Sequence, residues 1–208
     1  MGSTAPKLYT TLPPTSPAAR SIAEANGCTP PLTVRLKEGG MFNGCYWNVR
    51  EVCETQGGAA VYGWKLQVVR NMFVEAVHHA VWKDISGELW DVTAPHEEFA
   101  NEGYITFCSD NSWTWSDSFP PCIPNKIYPI HDQTVVDLRP LISSHEKHIR
   151  YKNRVMEISR SQGHSFDYKV GLTLNADPDP QALIDELKRL EELEWQERLF
   201  AMGLQRRN

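Results

Sequence analysis

Residues 73–93 read FVEAVHHAVWKDISGELWDVT, and this stretch decides how the middle of the chain folds. Phe73–Trp82 and Leu89–Thr93 are rich in β-branched and aromatic residues, which predicts two strands. The polar residues 84–87 between them end in glycine and suit a hairpin turn. A similar strand pattern precedes them over residues 59–69. The sequence therefore predicts an antiparallel β-meander.

Two polar side chains of this hairpin predict a catalytic pair. With a hairpin loop of three residues, His79 faces Asp91 directly, at a distance that lets a carboxylate orient an imidazole. His78 is the competing base, but strand alternation directs it to the opposite face. We therefore predict His79 as the general base and Asp91 as the group that orients it, with His78 as the alternative base.

A cysteine upstream of the hairpin has the setting of a nucleophile. Residues 43–48 read NGCYWN and open a segment with apolar residues at helical spacing, which predicts a helix that stops at the glycines 57–58. Asn43 is a favoured N-cap residue, which places Cys45 in the first turn. There the helix dipole and the unpaired N–H groups favour an anion. A cysteine followed by a histidine and an aspartate is the order that a thiol nucleophile requires.

These segments resemble a known family. Cys45 at a helix start, the run His79-Ala80-Val81-Trp82 and the run Asp91-Val92-Thr93 are similar to the transglutaminase-like core of the papain-like superfamily, over residues 40–95. The resemblance implies an α+β fold in which the helix bearing the cysteine packs on an antiparallel meander. It also implies acyl transfer through a thioester, whether as peptide hydrolysis, deamidation or transfer to an amine. The oxyanion would then be held by the backbone N–H of Cys45.

Further residues are candidates for substrate binding or for metal binding. Asn48 and Trp64 are predicted near the oxyanion, and Trp113 and Trp115 form either a stacking wall or a core plug. The residue types that zinc binds are supplied by His78, His79, His96, Asp91 and Cys108. Adjacent histidines on a strand point to opposite faces, and the usual zinc spacings are missing. We therefore predict no metal and no cofactor.

Composition and element order predict the domain organisation. The chain has 208 residues, of which 41% are hydrophobic, and it lacks the apolar run of a membrane span. Five cysteines at no regular spacing, without a signal-peptide pattern, predict reduced thiols and a cytoplasmic location. We expect a flexible arm over residues 1–20, the catalytic α+β domain over 21–140, and a helical extension over 141–208 packed on that domain.

Shorter elements are predicted around the hairpin. They are a helix over 21–26, strands over 32–36, 104–107 and 134–138, and helices over 141–162 and from Pro180 to Gly203. The last helix carries an apolar stripe of Leu183, Leu187 and Leu190. This stripe either packs on the body of the protein or mediates self-association, so the oligomeric state is open.

The charge distribution leaves two alternative functions open. The net charge is −5, but residues 139–170 hold seven basic side chains against three acidic ones. Candidate contacts for phosphate or RNA in this basic band are Lys147, Arg150, Lys152 and Arg154. The acidic body suits a small amino-acid or peptide substrate with a cationic group. One alternative is therefore formation of a peptide or cyclic dipeptide bond from an aminoacyl-tRNA, with an arginine-type substrate and the same triad. The other is a non-catalytic interaction module with this fold.

Overall fold

The computed structural model describes residues 7–70, 72–95, 102–114, 122–130, 137–161 and 180–203. The chain divides into two compact units, one of Met1–Thr114 with Lys126–Ile130 and one of Trp115–Asn125 with His131–Asn208. The first break between these units follows residue 114, whereas the boundary predicted from the sequence follows residue 140.

The first unit holds most of the secondary structure. Its elements in chain order are β1 (Tyr9–Thr11), α1 (Pro17–Ala25), β2 (Leu32–Gly40), α2 (Cys45–Gln56), β3 (Ala59–Val69), β4 (Phe73–Lys83), β5 (Leu89–Thr93), β6 (Tyr104–Ser109) and β7 (Lys126–Pro129). The expected bounds of β3 and β5 are confirmed, and β4 is one residue longer than expected. The first helix begins earlier than expected because the side chain of Ser16 accepts a hydrogen bond from the backbone N–H of Ala19, at 3.1 Å.

The N-terminal residues are part of this fold. β1 pairs antiparallel with β3, and α1 begins at Pro17. Residues 9–11 and 17–20, which we had assigned to a flexible arm, therefore lie in a strand and a helix instead.

Five strands close into a barrel. The order β3–β6–β2–β5–β4 returns to β3, because β4 pairs with β3 along its whole length. The pairing of β2 with β5 is parallel, and the other pairings are antiparallel. The mixed α+β class is confirmed, but the predicted meander is wrong. β3, β4 and β5 do follow one another as hairpins, and the long-range partners β2 and β6 then close the sheet.

The barrel interior is filled by apolar side chains from all five strands. Its buried members are Val34, Val81, Ile105 and Phe107, and Leu32, Leu36, Val61 and Leu89 pack against them. Gly63 of β3 allows β6 to approach closely, since a Cβ at this position would lie 2.1 Å from the carbonyl oxygen of Cys108. Tight barrel closure therefore depends on the absence of a side chain at Gly63.

Helix α2 packs on the outer face of the barrel. The buried contacts are made by Cys45, Val49, Ala80, Trp82 and Val92, and Tyr46, Val52 and Cys53 pack beside them. This is the helix face that the apolar spacing predicts. The C-terminal end of α2 is fixed as well, because Trp82 Nε1 donates to the carbonyl oxygen of Gly57 at 2.9 Å. The barrel therefore holds α2, the helix that begins with Cys45, near both of its ends.

The second unit contains α3 (Arg139–Ser161) and α4 (Pro180–Ala201). They meet at Glu194, whose carboxylate lies 2.7 Å from His148 Nδ1 and 3.0 Å from His145 Nδ1. In the predicted leucine stripe of α4, Leu190 is buried and the two other leucines are half-buried. The strand expected over 134–138 lies mostly outside the described residues, and Asp137 and Leu138 are not in a strand. No helix in the described parts of the chain is long and apolar enough to cross a membrane.

Candidate active site

Cys45 is the first residue of α2 and is only 8% exposed. The N-cap is Gly44, and not Asn43 as expected, because Asn43 takes a left-handed conformation with φ of 61°. Asparagine tolerates that conformation better than most residues. A glycine cap has no side chain to compete for the N–H groups of the first turn. These groups and the helix dipole therefore favour an anion at this end of α2.

His79 and Asp91 form the expected pair by a different register. His79 Nε2 donates to Asp91 Oδ1 at 3.0 Å, and both side chains are buried. Lys83 pairs with Leu89, so the hairpin loop has five residues and not three. His79 is therefore not directly opposite Asp91. The register differs from the expected one by two residues, which is the repeat of a strand, so both side chains stay on one face.

The longer loop has a local cause in Asp84. Its Oδ1 atom accepts from the backbone N–H groups of Ser86 and Glu88, both at 2.9 Å. Its other carboxylate oxygen accepts from Trp90 Nε1 at 3.0 Å. One carboxylate therefore organises the whole turn, which is a common role of aspartate in turns.

The Asp91 carboxylate is held in its charged form. Burial raises its pKa, but the charge of His79 and the hydrogen bond from it, followed by Lys65 and the N–H of Thr93, outweigh burial and hold the pKa below the ordinary value. The Thr93 N–H donates to Asp91 Oδ1 at 3.0 Å. The backbone of β5 therefore fixes the orientation of the group that orients His79.

The His79 ring lies between a carboxylate and a thiol. Burial lowers its pKa, but the charges of Asp91 and Cys45, and side-chain hydrogen bonds to both, raise the pKa to about 9. Because Asp91 takes Nε2, the other ring nitrogen, Nδ1, is the one left for Cys45. The Asp91 carboxylate therefore favours the charged imidazolium form of His79, next to the Cys45 thiol.

His78 is occupied on the other face of β4. Its Nδ1 atom lies 2.7 Å from Tyr46 Oη, and its ring packs edge-on against Trp64 and Trp113 with centroids 5.0 and 4.8 Å apart. Burial, with smaller contributions from His79 and Lys126, lowers its pKa to about 4 against the opposing charge of Asp110. A neutral ring bonded to a tyrosine is a poor partner for the thiol, so the geometry favours His79 as the base.

Asn48, which the sequence predicts near the oxyanion, is hydrogen-bonded to the loop before Cys45 and to β5. Its Oδ1 accepts from the N–H of Met41 at 3.0 Å, and its Nδ2 donates to the Met41 carbonyl at 2.8 Å and to Thr93 Oγ1 at 3.2 Å. The side chain is 3% exposed. Both ends of the amide bond to protein atoms, so Asn48 positions the loop before Cys45.

The predicted tryptophans lie apart from the His79–Asp91 pair. Trp64 is 3% exposed and packs on the His78 side of the sheet, under the ammonium group of Lys126. Trp113 packs against Tyr46 and Tyr62 with centroids 5.4 and 4.7 Å apart. The first tryptophan is thus a core residue and the second closes an aromatic cluster around His78. Trp115 lies outside the described residues.

Sequence reasoning missed one charged residue beside the pair. Lys65 is half-buried on the same face of β3 as Val61, which packs in the barrel interior. Burial lowers its pKa, against the opposing charges of Asp91, Cys45 and Glu75. The available signal was a lysine two residues after Gly63 and four after Val61, at an inward position of the strand.

The remaining candidate residues are those for metal binding and those for contact with RNA. Within the described ranges, no group of three or more histidine, cysteine, aspartate or glutamate side chains has the arrangement to hold a metal ion. His96 lies outside those ranges. The basic band is on α3 of the second unit, where its exposed members are Lys147, Arg150, Lys152 and Arg154.

Comparison with known proteins adds no relative. No family model matches the chain, and no curated protein or solved structure matches it. The resemblance to a transglutaminase-like core therefore stays a prediction from the sequence motifs.

Proposed function

We propose that this protein is a cysteine-dependent acyltransferase or hydrolase that makes or breaks an amide bond through a thioester on Cys45. The observation that carries the proposal is the buried His79, bonded to Asp91 at 3.0 Å and interacting with the Cys45 thiol. The Asp91 carboxylate supplies the anionic partner that a buried imidazolium needs, and the thiol at the helix start gives this histidine a group to which it can pass a proton.

The proposed reaction has two steps. The Cys45 thiolate attacks the carbonyl carbon of an amide, and the backbone N–H of Cys45 stabilises the oxyanion. His79 donates its proton to the departing amine, which leaves the acyl group on sulfur as a thioester. Water or a second amine then attacks the thioester, and neutral His79 accepts the attacker's proton as the thiolate departs. Asp91 keeps the ring in one orientation throughout.

The first test uses the selectivity of a thiol reagent. Burial raises the thiol pKa of the other four cysteines, Cys28, Cys53, Cys108 and Cys122. Because the proposal has His79 activate the Cys45 thiol, iodoacetamide at neutral pH should label Cys45 before these four, as read by peptide mass spectrometry, and His79→Ala should slow that labelling by about tenfold or more. Labelling of Cys45 no faster than that of a free cysteine peptide would instead support the non-catalytic module.

The second test identifies the acyl donor. The intact protein is incubated with a metabolite extract and its mass is measured, with Cys45→Ala treated in parallel. A mass increase that is confined to the protein with Cys45 and is released by hydroxylamine indicates a thioester. If Cys45→Ala shows the same hydroxylamine-sensitive mass increase, the acyl group is on another residue, which contradicts the proposal.

A second candidate within this class is aminoacyl-tRNA-dependent bond formation on an arginine-type substrate. The observation in its favour is the exposed basic face of α3, where Lys147, Arg150 and Arg154 are spaced three and four residues apart. Activity that survives treatment with RNase would exclude this candidate and leave the first one standing.

A further inference from the structure

An exposed apolar pair stands directly before the nucleophile. In the described part of the barrel unit, the large hydrophobic side chains that are exposed are Met41, Phe42 and Ile85. Ile85 is at the tip of the β4–β5 hairpin. Met41 and Phe42 are each 47% exposed, and they lie four and three residues before Cys45. Exposed apolar side chains of this size, next to each other, often mark a binding surface.

The loop that carries the pair is held in one conformation. Asn48 bonds both the N–H and the carbonyl of Met41, and the N–H of Gly44 donates to the same carbonyl at 3.3 Å. Gly40 packs so closely that a Cβ there would lie 2.1 Å from the carbonyl oxygen of Val92 and 2.4 Å from Asn48 Cγ. The backbone under the two side chains is therefore fixed, which reduces the entropy lost when a ligand binds them.

The composition of the loop indicates the class of ligand. Residues 39–44 read GGMFNG and contain no ionisable side chain. A cationic group would need a carboxylate here, and an anionic group would need a basic residue. The large side chains of this loop are the thioether of Met41 and the phenyl ring of Phe42. Both favour an apolar partner, because binding then buries apolar surface.

We propose that Met41 and Phe42 bind an apolar group of the acyl donor next to the carbonyl that Cys45 attacks. The inference rests on the proposed function and deepens it, because it gives the donor a hydrophobic side chain or acyl chain. A β-turn brings its first and last residues within about 7 Å. The N–H of Gly44 donates to the Met41 carbonyl across such a turn, so the backbone of the pair stays close to Gly44, the residue directly before Cys45.

The test compares iodoacetamides that share one reactive group. N-benzyl iodoacetamide carries an apolar group, N-(2-hydroxyethyl) iodoacetamide a polar one, and N-(2-guanidinoethyl) iodoacetamide a cationic one. The rate of Cys45 labelling with each is divided by the rate with unsubstituted iodoacetamide on the same protein. We expect the benzyl ratio to exceed the hydroxyethyl ratio by about fivefold, from burial of part of a phenyl ring.

Variants test whether the preference for the benzyl reagent comes from Met41 and Phe42. Phe42→Ser and Met41→Ser should each reduce the benzyl ratio toward the hydroxyethyl ratio. Ile85→Ser, which removes an exposed apolar side chain of the hairpin tip, should keep it. Retention of the benzyl preference in both loop variants, or a guanidinoethyl ratio above the benzyl ratio, would overturn the inference. Because each rate is normalised to iodoacetamide, failure here differs from failure of the proposed function, which would appear as slow labelling by iodoacetamide itself.

Discussion

Asn48 Nδ2 donates to Thr93 Oγ1 across 3.2 Å and joins the helix that carries Cys45 to the strand that carries Asp91. The same amide accepts from the N–H of Met41 at 3.0 Å and donates to the carbonyl of Met41 at 2.8 Å. Thr93 in turn donates its N–H to Asp91 Oδ1. One buried amide therefore links the loop before Cys45, through Thr93, to the carboxylate that bonds His79.

Replacement of this amide should loosen the connection between the loop before Cys45 and strand β5. Asn48→Ala leaves the N–H and carbonyl of Met41 without that partner, which should cost roughly 1–3 kcal/mol in the free energy of unfolding. The rate of Cys45 labelling by iodoacetamide should fall as well, by about tenfold, because the loop and the strand lose their fixed relation. Urea unfolding and peptide mass spectrometry measure the two effects.

The second unit offers a matched control. Asn153 bonds the backbone of Cys122 in the same way: its Oδ1 accepts from the Cys122 N–H and its Nδ2 donates to the Cys122 carbonyl, each at 2.8 Å. Asn153→Ala should therefore destabilise its unit by a similar amount while Cys45 labels at the wild-type rate. Equal slowing by both variants would show that labelling reports general loosening, which contradicts a positioning role for Asn48.

The strands, and the sheet face shared by His79 and Asp91, could be predicted because the signals for them are local in the sequence. Residue alternation and turn composition are local signals, and they specify the bounds of β3 and β5 and the face that His79 shares with Asp91. An error of two residues in the register leaves that face unchanged. Closure of the barrel depends on pairings such as Leu36 with Asp91, which have no local signal. The use of Asn48 was missed for the same reason, since its partner Thr93 is 45 residues away.

The protonation of His79 should depend on Asp91. The folded pKa of about 9 lies above the ordinary value of 6.5, so the charged pair contributes its full stability below about pH 6.5 and loses it as the pH rises through about 9. In Asp91→Asn the pKa should fall by about one to three pH units, because a neutral amide removes the attraction and burial then dominates. Side-chain NMR of the histidines, recorded over a series of pH values, measures this change in the His79 pKa. A titration of His79 that is unchanged in Asp91→Asn would show that the carboxylate does not set its charge.

Barrel closure should be sensitive to one methyl group. Gly63 pairs with His79 on one side and with Ser109 on the other, and a Cβ here would lie 2.1 Å from the Cys108 carbonyl oxygen and 2.8 Å from Phe107 Cζ. Gly63→Ala should therefore lower the free energy of unfolding by about 3 kcal/mol through overpacking. Gly27→Ala is the control, since its φ of 65° is strained for alanine but nothing lies near the new methyl group. It should cost only about 1 kcal/mol, and equal losses in the two variants would argue against the steric explanation.

The basic face of α3 gives the tRNA-dependent candidate its own test. Arg150 lies on the face shared with Lys147 and Arg154, and Lys152 lies on a different face of the same helix. If tRNA binds this face, the slope of the logarithm of the association constant against the logarithm of salt concentration should become shallower by about one in Arg150→Gln. Lys152→Gln, with the same loss of charge, should keep the wild-type slope. Equal changes in both variants would indicate unspecific attraction to a positive helix, and a protein that does not bind tRNA even at low salt would leave acyl transfer to a donor that carries no nucleic acid.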